Sequence, residues 1–259
     1  DASSYMGRAL SGVGDINGDG CDEFAVSSTH EDYPLVDQGL IRVVFGWGDN
    51  CHDTSPSQIV IGPDKSYRYI GYDLDGQHDI DGDGLPDLAI GAPYFRGEDN
   101  IQTGAGMVVY GRWLNFLHTF AEPLTTERPL TVHPLGEAGF APHQEFLGSR
   151  EDALVGQGIA LIPGGSGFGR AALAVGWGRG EIGNTHRSGG VMVYRSGADT
   201  LLSQQPYMAV TGETGNEDNG LGLSLDGFKV GEKSYLAACG RYGKSMGIDR
   251  GSCYVVEIK

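Results

Sequence analysis

Gly14-Asp15-Ile16-Asn17-Gly18-Asp19-Gly20-Cys21-Asp22-Glu23-Phe24-Ala25-Val26 and His78-Asp79-Ile80-Asp81-Gly82-Asp83-Gly84-Leu85-Pro86-Asp87-Leu88-Ala89-Ile90 are two copies of one pattern. Oxygen-bearing side chains fall at loop positions 1, 3, 5 and 9, as Asp15, Asn17, Asp19 and Glu23 in one copy and Asp79, Asp81, Asp83 and Asp87 in the other. Hard oxygen ligands crowded into nine residues, without sulfur or imidazole among the ligand positions, suit Ca²⁺. Plain Asp/Gly-rich surface turns are the alternative, and recurrence in the same register weighs against them. An EF-hand would need a bidentate glutamate at position 12 and flanking helices. Position 12 is Val26 or Ile90, inside short apolar runs that read as buried strands. The ninth residue therefore closes each site, and position 7, Cys21 or Leu85, contributes a backbone carbonyl. Two Ca²⁺ sites on inter-strand loops are expected.

Working outward, the chain repeats. Tyr5-Met6-Gly7-Arg8-Ala9-Leu10 leads through the first loop to Gly39-Leu40-Ile41-Arg42-Val43-Val44-Phe45-Gly46. Tyr69-Ile70-Gly71-Tyr72-Asp73-Leu74 leads through the second to Gly106-Met107-Val108-Val109-Tyr110-Gly111. A third copy opens at Leu154-Val155-Gly156 and runs through Leu173-Ala174-Val175-Gly176-Trp177 to Gly190-Val191-Met192-Val193-Tyr194. A fourth opens at Gly220-Leu221-Gly222 and runs through Tyr235-Leu236-Ala237-Ala238-Cys239 to Cys253-Tyr254-Val255-Val256. Copies three and four lack the acidic ligands. Origins at Gly7, Gly71, Gly156 and Gly220 lie 64, 85 and 64 residues apart. Connecting strands are predicted at Gln58–Gly62, Pro129–His133 and Tyr207–Gly212. The expectation is an all-β chain of four-stranded antiparallel sheets over 5–62, 69–133, 154–212 and 220–259, with an insertion over 113–153. Sheets that cannot bury both faces alone stack radially.

Composition agrees with this and narrows the partners. Forty-four glycines in 259 residues, spread without a three-residue period, fit many short strands and tight turns. A formal charge of −16, reduced only to −12 by two Ca²⁺ (−16 + 4), argues against nucleic acid and anionic membrane surfaces. No apolar run is long enough for a membrane-spanning helix. No signal peptide is visible, and a start at Asp1 is compatible with a mature or trimmed product.

The four copies resemble the FG-GAP repeat of integrin α-subunit β-propellers and related extracellular proteins. The family's Phe-Gly opening is represented by Met6-Gly7, Ile70-Gly71, Val155-Gly156 and Leu221-Gly222, and its Gly-Ala-Pro by Gly91-Ala92-Pro93. The resemblance implies one β-propeller domain over 1–259, either a four-bladed ring or part of a larger propeller. It also implies an extracellular, secreted or cell-surface location, with periplasmic as a variant, and a non-enzymatic adhesion or recognition module. The partner would be a protein or glycan on a loop face, without membrane insertion. A propeller-based polysaccharide lyase or hydrolase, and a scaffold self-associating through an open blade edge, are the alternatives.

Cys239 and Cys253 align near Gly91 and Gly106, facing positions of a hairpin, where a disulfide is geometrically reasonable. Cys21 and Cys51 would then pair and pin the first loop; four reduced thiols are the alternative. The long loops 28–38, 93–104, 177–189 and 240–250 are expected on one face. Tyr33, Tyr94, Phe95, Trp177, Arg179, Arg187, Arg241 and Tyr242 are their candidate ligand-binding side chains. No catalytic motif stands. His133, His143, Glu137, Glu145, Glu151 and Asp152 in the insertion are the one place where an acid–base or metal cluster is conceivable.

Overall fold

Strand follows strand at tight turns in the computed structural model. It describes residues 4–32, 36–46, 51, 56–63, 69–97, 99–125, 131–135, 143–149, 153–165, 169–178, 189–196, 201–212, 220–240, 244–245, 248–249 and 251–259. The first sheet contains β1 (Met6–Gly14), β2 (Glu23–Ser28), β3 (Leu40–Phe45) and β4 (Ser57–Gly62) as an antiparallel meander. The second begins with β5 (Leu74–His78), β6 (Asp87–Ala92) and β7 (Ala105–Val109), followed by helix α1 (Gly111–His118). Then come β8 (Glu122–Pro123), β9 (Val132–Pro134) and β10 (His143–Leu147). The third sheet is β11 (Val155–Ile162), β12 (Ala172–Trp177), β13 (Gly190–Arg195) and β14 (Met208–Thr211). The fourth comprises β15 (Ser224–Val230), β16 (Lys233–Gly240) and, after a small ribbon of β17 (Lys244–Ser245) and β18 (Ile248–Asp249), β19 (Ser252–Ile258).

Each sheet is a propeller blade, and its first strand packs against the first strand of the next: β1 on β5, β5 on β11, β11 on β15. No comparable packing joins β15 to β1 among the described residues, so the four blades form an open array. Three apolar layers fill the spaces between them. Alternation along β6 explains how: Leu88 and Ile90 enter the layer shared with blade one, while Ala89 enters that shared with blade three. Strands covered on both faces read as continuous apolar runs, as these do.

The motif glycines sit where successive blades touch. A Cβ on Gly91 would lie 2.1 Å from the Gly156 carbonyl oxygen, and one on Gly176 would lie 2.1 Å from that of Gly222. The origin glycines have φ of 89°, 80°, 89° and 90° at Gly7, Gly71, Gly156 and Gly222. The fourth origin is therefore Gly222, not Gly220. Gly220, at φ 58°, matches Tyr5, Tyr69 and Leu154, at 49°, 56° and 54°. Parallel bridges agree, joining Gly104 to Val155 and Gly189 to Leu221, each the residue before an origin glycine.

The predicted strand Pro129–His133 is also corrected. Val132–Pro134 runs parallel to β4 at the edge of the first sheet, and residues 126–130 lie outside the described part. Blade two takes β10 as its outer strand instead, with Phe146 paired to Gly106 and buried. The sequence reading also placed no helix in the insertion. In α1, Trp113, Leu114 and Leu117 recur on one helical face and are buried in the first apolar layer.

Candidate functional site

Both acidic loops link the first and second strands of their blades and fold alike. Asp15 receives the amides of Gly18 (2.7 Å) and Gly20 (2.9 Å), and Asp79 those of Gly82 (2.6 Å) and Gly84 (2.9 Å). Asp19 accepts from Cys21 N at 2.8 Å, and Asp83 from Leu85 N at 2.9 Å. Such Asx hydrogen bonds order the loops. Gly18 and Gly82 turn at φ 77° and 80°, where a side chain would be strained.

The closing carboxylates are buried. Glu23 accepts from Ile16 N (2.8 Å) and Asp87 from Ile80 N (2.7 Å). Burial pushes the Glu23 carboxyl up to about 7, against the Ile16 amide and aided by Asp19 and Asp15. Asp87 is likewise raised to about 7, chiefly by burial, against the amides of Gly111 and Ile80. The other oxygen of Glu23 is buried without a hydrogen-bond partner. An orphaned carboxylate oxygen in an all-oxygen loop fits a hard cation. In the second loop Asp79, Asp81 and Asp87 offer oxygens that all lie within 4.8 Å of one another. The structure thus brings Asp79, Asp81 and Asp87 together in the second loop, and no such group of three carboxylates forms in the first among the described residues.

Disulfides join Cys21 to Cys51 and Cys239 to Cys253. The first ties the loop to the segment after β3. The second bridges opposed residues of β16 and β19.

The predicted ligand side chains separate into three groups. Tyr33, Arg179, Arg187, Arg241 and Tyr242 lie outside the described residues. Phe95 and Trp177 do not stand on the loop surface: at 6% and 4% exposure they belong to the apolar layers. Tyr94 is half-buried within an aromatic row the sequence reading missed. Tyr5 packs on His30 (centroids 4.4 Å apart), His30 on Tyr69 (4.6 Å), Tyr69 on Tyr94 (5.1 Å) and Tyr94 on Tyr72 (6.1 Å), with the Arg8 guanidinium 4.0 Å from the Tyr72 ring centroid. Tyr5 and Tyr69 precede equivalent repeat openings, a signal that alignment of the copies carried. Because meander strands alternate direction, these segments lie at the opposite strand ends from the acidic loops. The insertion's histidines do not converge: His133 pairs with Ile61 in the first sheet, while His143 lies in the second, 2.9 Å from Glu145. Glu137, Glu151 and Asp152 lie outside the described residues.

Comparison with known proteins agrees with this geometry. Residues 6–44 and 71–110 match the model of the FG-GAP repeat. The chain is 33% identical over 91 residues to integrin alpha-6 of Gallus gallus, covering 35% of the chain and 8% of that protein. It is 38% identical over 97 residues to integrin alpha-PS5 of Drosophila melanogaster, covering 36% and 9%. Against integrin alpha-PS2 of Drosophila melanogaster it is 26% identical over 260 residues, covering 86% of the chain and 18% of the relative. The chain thus spans less than a fifth of each of these relatives. With its blades, loop geometry and matched repeats, the chain carries FG-GAP repeats over residues 6–44 and 71–110 and is similar to integrin α-subunits.

Proposed function

We propose that the chain is a calcium-stabilised extracellular β-propeller module that recognises a protein or glycan partner. The observation that carries this is the division of labour between strand ends: acidic loops at one end of blades one and two, the Tyr5–His30–Tyr69–Tyr94–Tyr72 row at the other. Calcium on Asp15, Asn17, Asp19 and Glu23, and on Asp79, Asp81, Asp83 and Asp87, would neutralise the loops and leave the aromatic end to bind. The two disulfides support an oxidising, extracellular setting. An enzymatic reading draws no support from the insertion, whose histidines sit in different sheets.

Thermal melts with and without a chelator test the calcium part. At a concentration 100 times its dissociation constant, calcium adds about 2.7 kcal/mol per site, so chelation lowers Tm by several degrees. An unchanged melt refutes the assignment. Screening against immobilised glycans and matrix proteins tests recognition, with Tyr94→Ala expected to weaken any binding found. Self-association is a second reading, favoured by exposure of Met6, Leu10 and Phe24 on blade one.

A further inference from the structure

The two acidic loops share a fold but differ in what surrounds them. Around the second lie two arginines. Arg112, the second residue of α1, places Nη1 2.7 Å from Asp81 Oδ2 and 3.8 Å from Asp83 Oδ2. The Asp81 side chain is almost fully buried, while Arg112 is half exposed and its guanidinium lies 5.1 Å from the Tyr110 ring centroid. Arg170 comes from blade three, from the loop whose metal-ligand positions have been lost. Its Nη1 donates to the Asp81 carbonyl oxygen at 3.0 Å. Its guanidinium lies on Gly82, where a Cβ would meet Cζ at 2.9 Å.

The first loop has neither feature. A Cβ on Gly18, the counterpart of Gly82, would meet nothing within 4 Å. No ion pair reaches Asp15, Asp19 or Glu23 among the described residues. Beside its Ile80 amide Asp87 receives Gly111 N from the start of α1 at 2.8 Å, whereas the second backbone amide acting on Glu23, that of Asn17, comes from its own loop.

We propose that Arg112 and Arg170 are built-in counter-cations of the second acidic loop, setting its calcium affinity below that of the first. The inference rests on the calcium reading given above. Charge decides the order. The first loop presents three carboxylates and the neutral Asn17. In the second, Arg112 cancels the extra carboxylate at Asp81, making that position equivalent to Asn17, and Arg170 then subtracts one further charge. The arginines also brace the second loop without a metal, where the first has its own hydrogen bonds and the Cys21–Cys51 disulfide. Blade three, having no metal of its own, thereby contacts the site of blade two.

The experiment is calcium titration of the whole, cation-stripped chain by calorimetry, with folding of each variant checked by circular dichroism. Two affinity classes are expected, Asp15→Asn abolishing the tighter and Asp79→Asn the weaker. Arg112→Gln and Arg170→Gln each tighten the weaker class about tenfold, the size expected for a unit charge roughly 6 Å from a divalent ion in a water-like medium. Arg112→Lys and Arg170→Lys leave it near the parent value. If Arg170→Gln fails to fold, the half-exposed Arg112→Gln alone carries the test. Unchanged or weakened affinity in the glutamine variants, or loss of the tighter class in Asp79→Asn, overturns the proposal while leaving calcium binding intact. No binding of calcium at either loop overturns the calcium reading and this inference together.

Discussion

On the proposed calcium reading, Glu23 and Asp87 make cation binding a proton-linked event. Burial holds both carboxyls near 7 in the cation-free chain, so near neutrality each is partly protonated. A divalent cation requires the carboxylate, so binding expels those protons. Affinity should fall as pH drops below about 7. Calorimetry at pH 7 in two buffers of different ionisation enthalpy should give different apparent heats, and at pH 9 the difference should vanish; buffer-independent heats at pH 7 would contradict the linkage. Asp73 and Asp75 act in the other direction. Asp73 accepts from Ile159 N (2.9 Å) and Asp75 from Leu161 N (2.7 Å), joining the inner strands of blades two and three. Burial raises both from 3.8 to about 6, with Arg8 lowering Asp73 and Asp226 raising Asp75. The folded state therefore holds these protons more tightly than the unfolded chain. Their contribution is fully present below 3.8 and is lost as pH rises through about 6. Denaturant melts of the cation-free chain should show stability falling over that window, and Asp73→Asn with Asp75→Asn should flatten the slope.

Between blades, the element that decides packing is a glycine on the second strand. Gly91 and Gly176 press against the origin glycines Gly156 and Gly222 of the following blades. Backbone on both sides leaves no room for a side chain. Gly91→Ala should therefore destabilise the fold by about 2–3 kcal/mol, read as a shift in the urea midpoint. Gly46→Ala, where a Cβ meets nothing within 4 Å, is the matching control and should leave the midpoint nearly unchanged. Repeats, acidic loops and the hairpin positions of Cys239 and Cys253 were legible in the sequence because they depend on local spacing that recurs. The outer strand of blade two was not. His143-Gln144-Glu145-Phe146-Leu147 buries only Phe146 fully and leaves Leu147 exposed, so period-two alternation gives little signal. Residues Val132–Pro134 found the free edge of β4 instead, a tertiary choice that propensity does not encode. Phe95 and Trp177 were misplaced for a related reason: loop position in sequence does not reveal that a side chain folds back into the layer between blades.

Across the whole molecule, each blade has one face for its predecessor and one for its successor, and the two end faces of the array differ. The face of blade one away from blade two exposes Met6, Leu10 and Phe24 on its inner strands, at 48%, 67% and 42%, while Arg42, Val44 and Val60 on the same face are buried. The free face of blade four mixes Ser224, Asp226 and the Lys233–Glu257 ion pair with the stacked Phe228 and Tyr235 rings and the exposed Val230 and Val255. Register aligns Cys239 with Ser27 and Gly176, since Leu10 faces Val26, Ile159 faces Val175 and Leu225 faces Ala238. The Cys239–Cys253 bridge thus occupies the place where blades one to three receive the next origin glycine. A second copy docking its Gly7 there would meet that bridge, which disfavours head-to-tail growth. The exposed strip of Met6, Leu10 and Phe24 on blade one has no such bridge before it and can pair with itself about a two-fold axis. The chain taken alone should therefore form a concentration-dependent dimer rather than an open polymer. Sedimentation velocity should show two species, with Leu10→Lys shifting the population to monomer. A monomer at every concentration would mean that water tolerates the exposed face, and a ladder of higher species would mean that the blade-four bridge is no barrier.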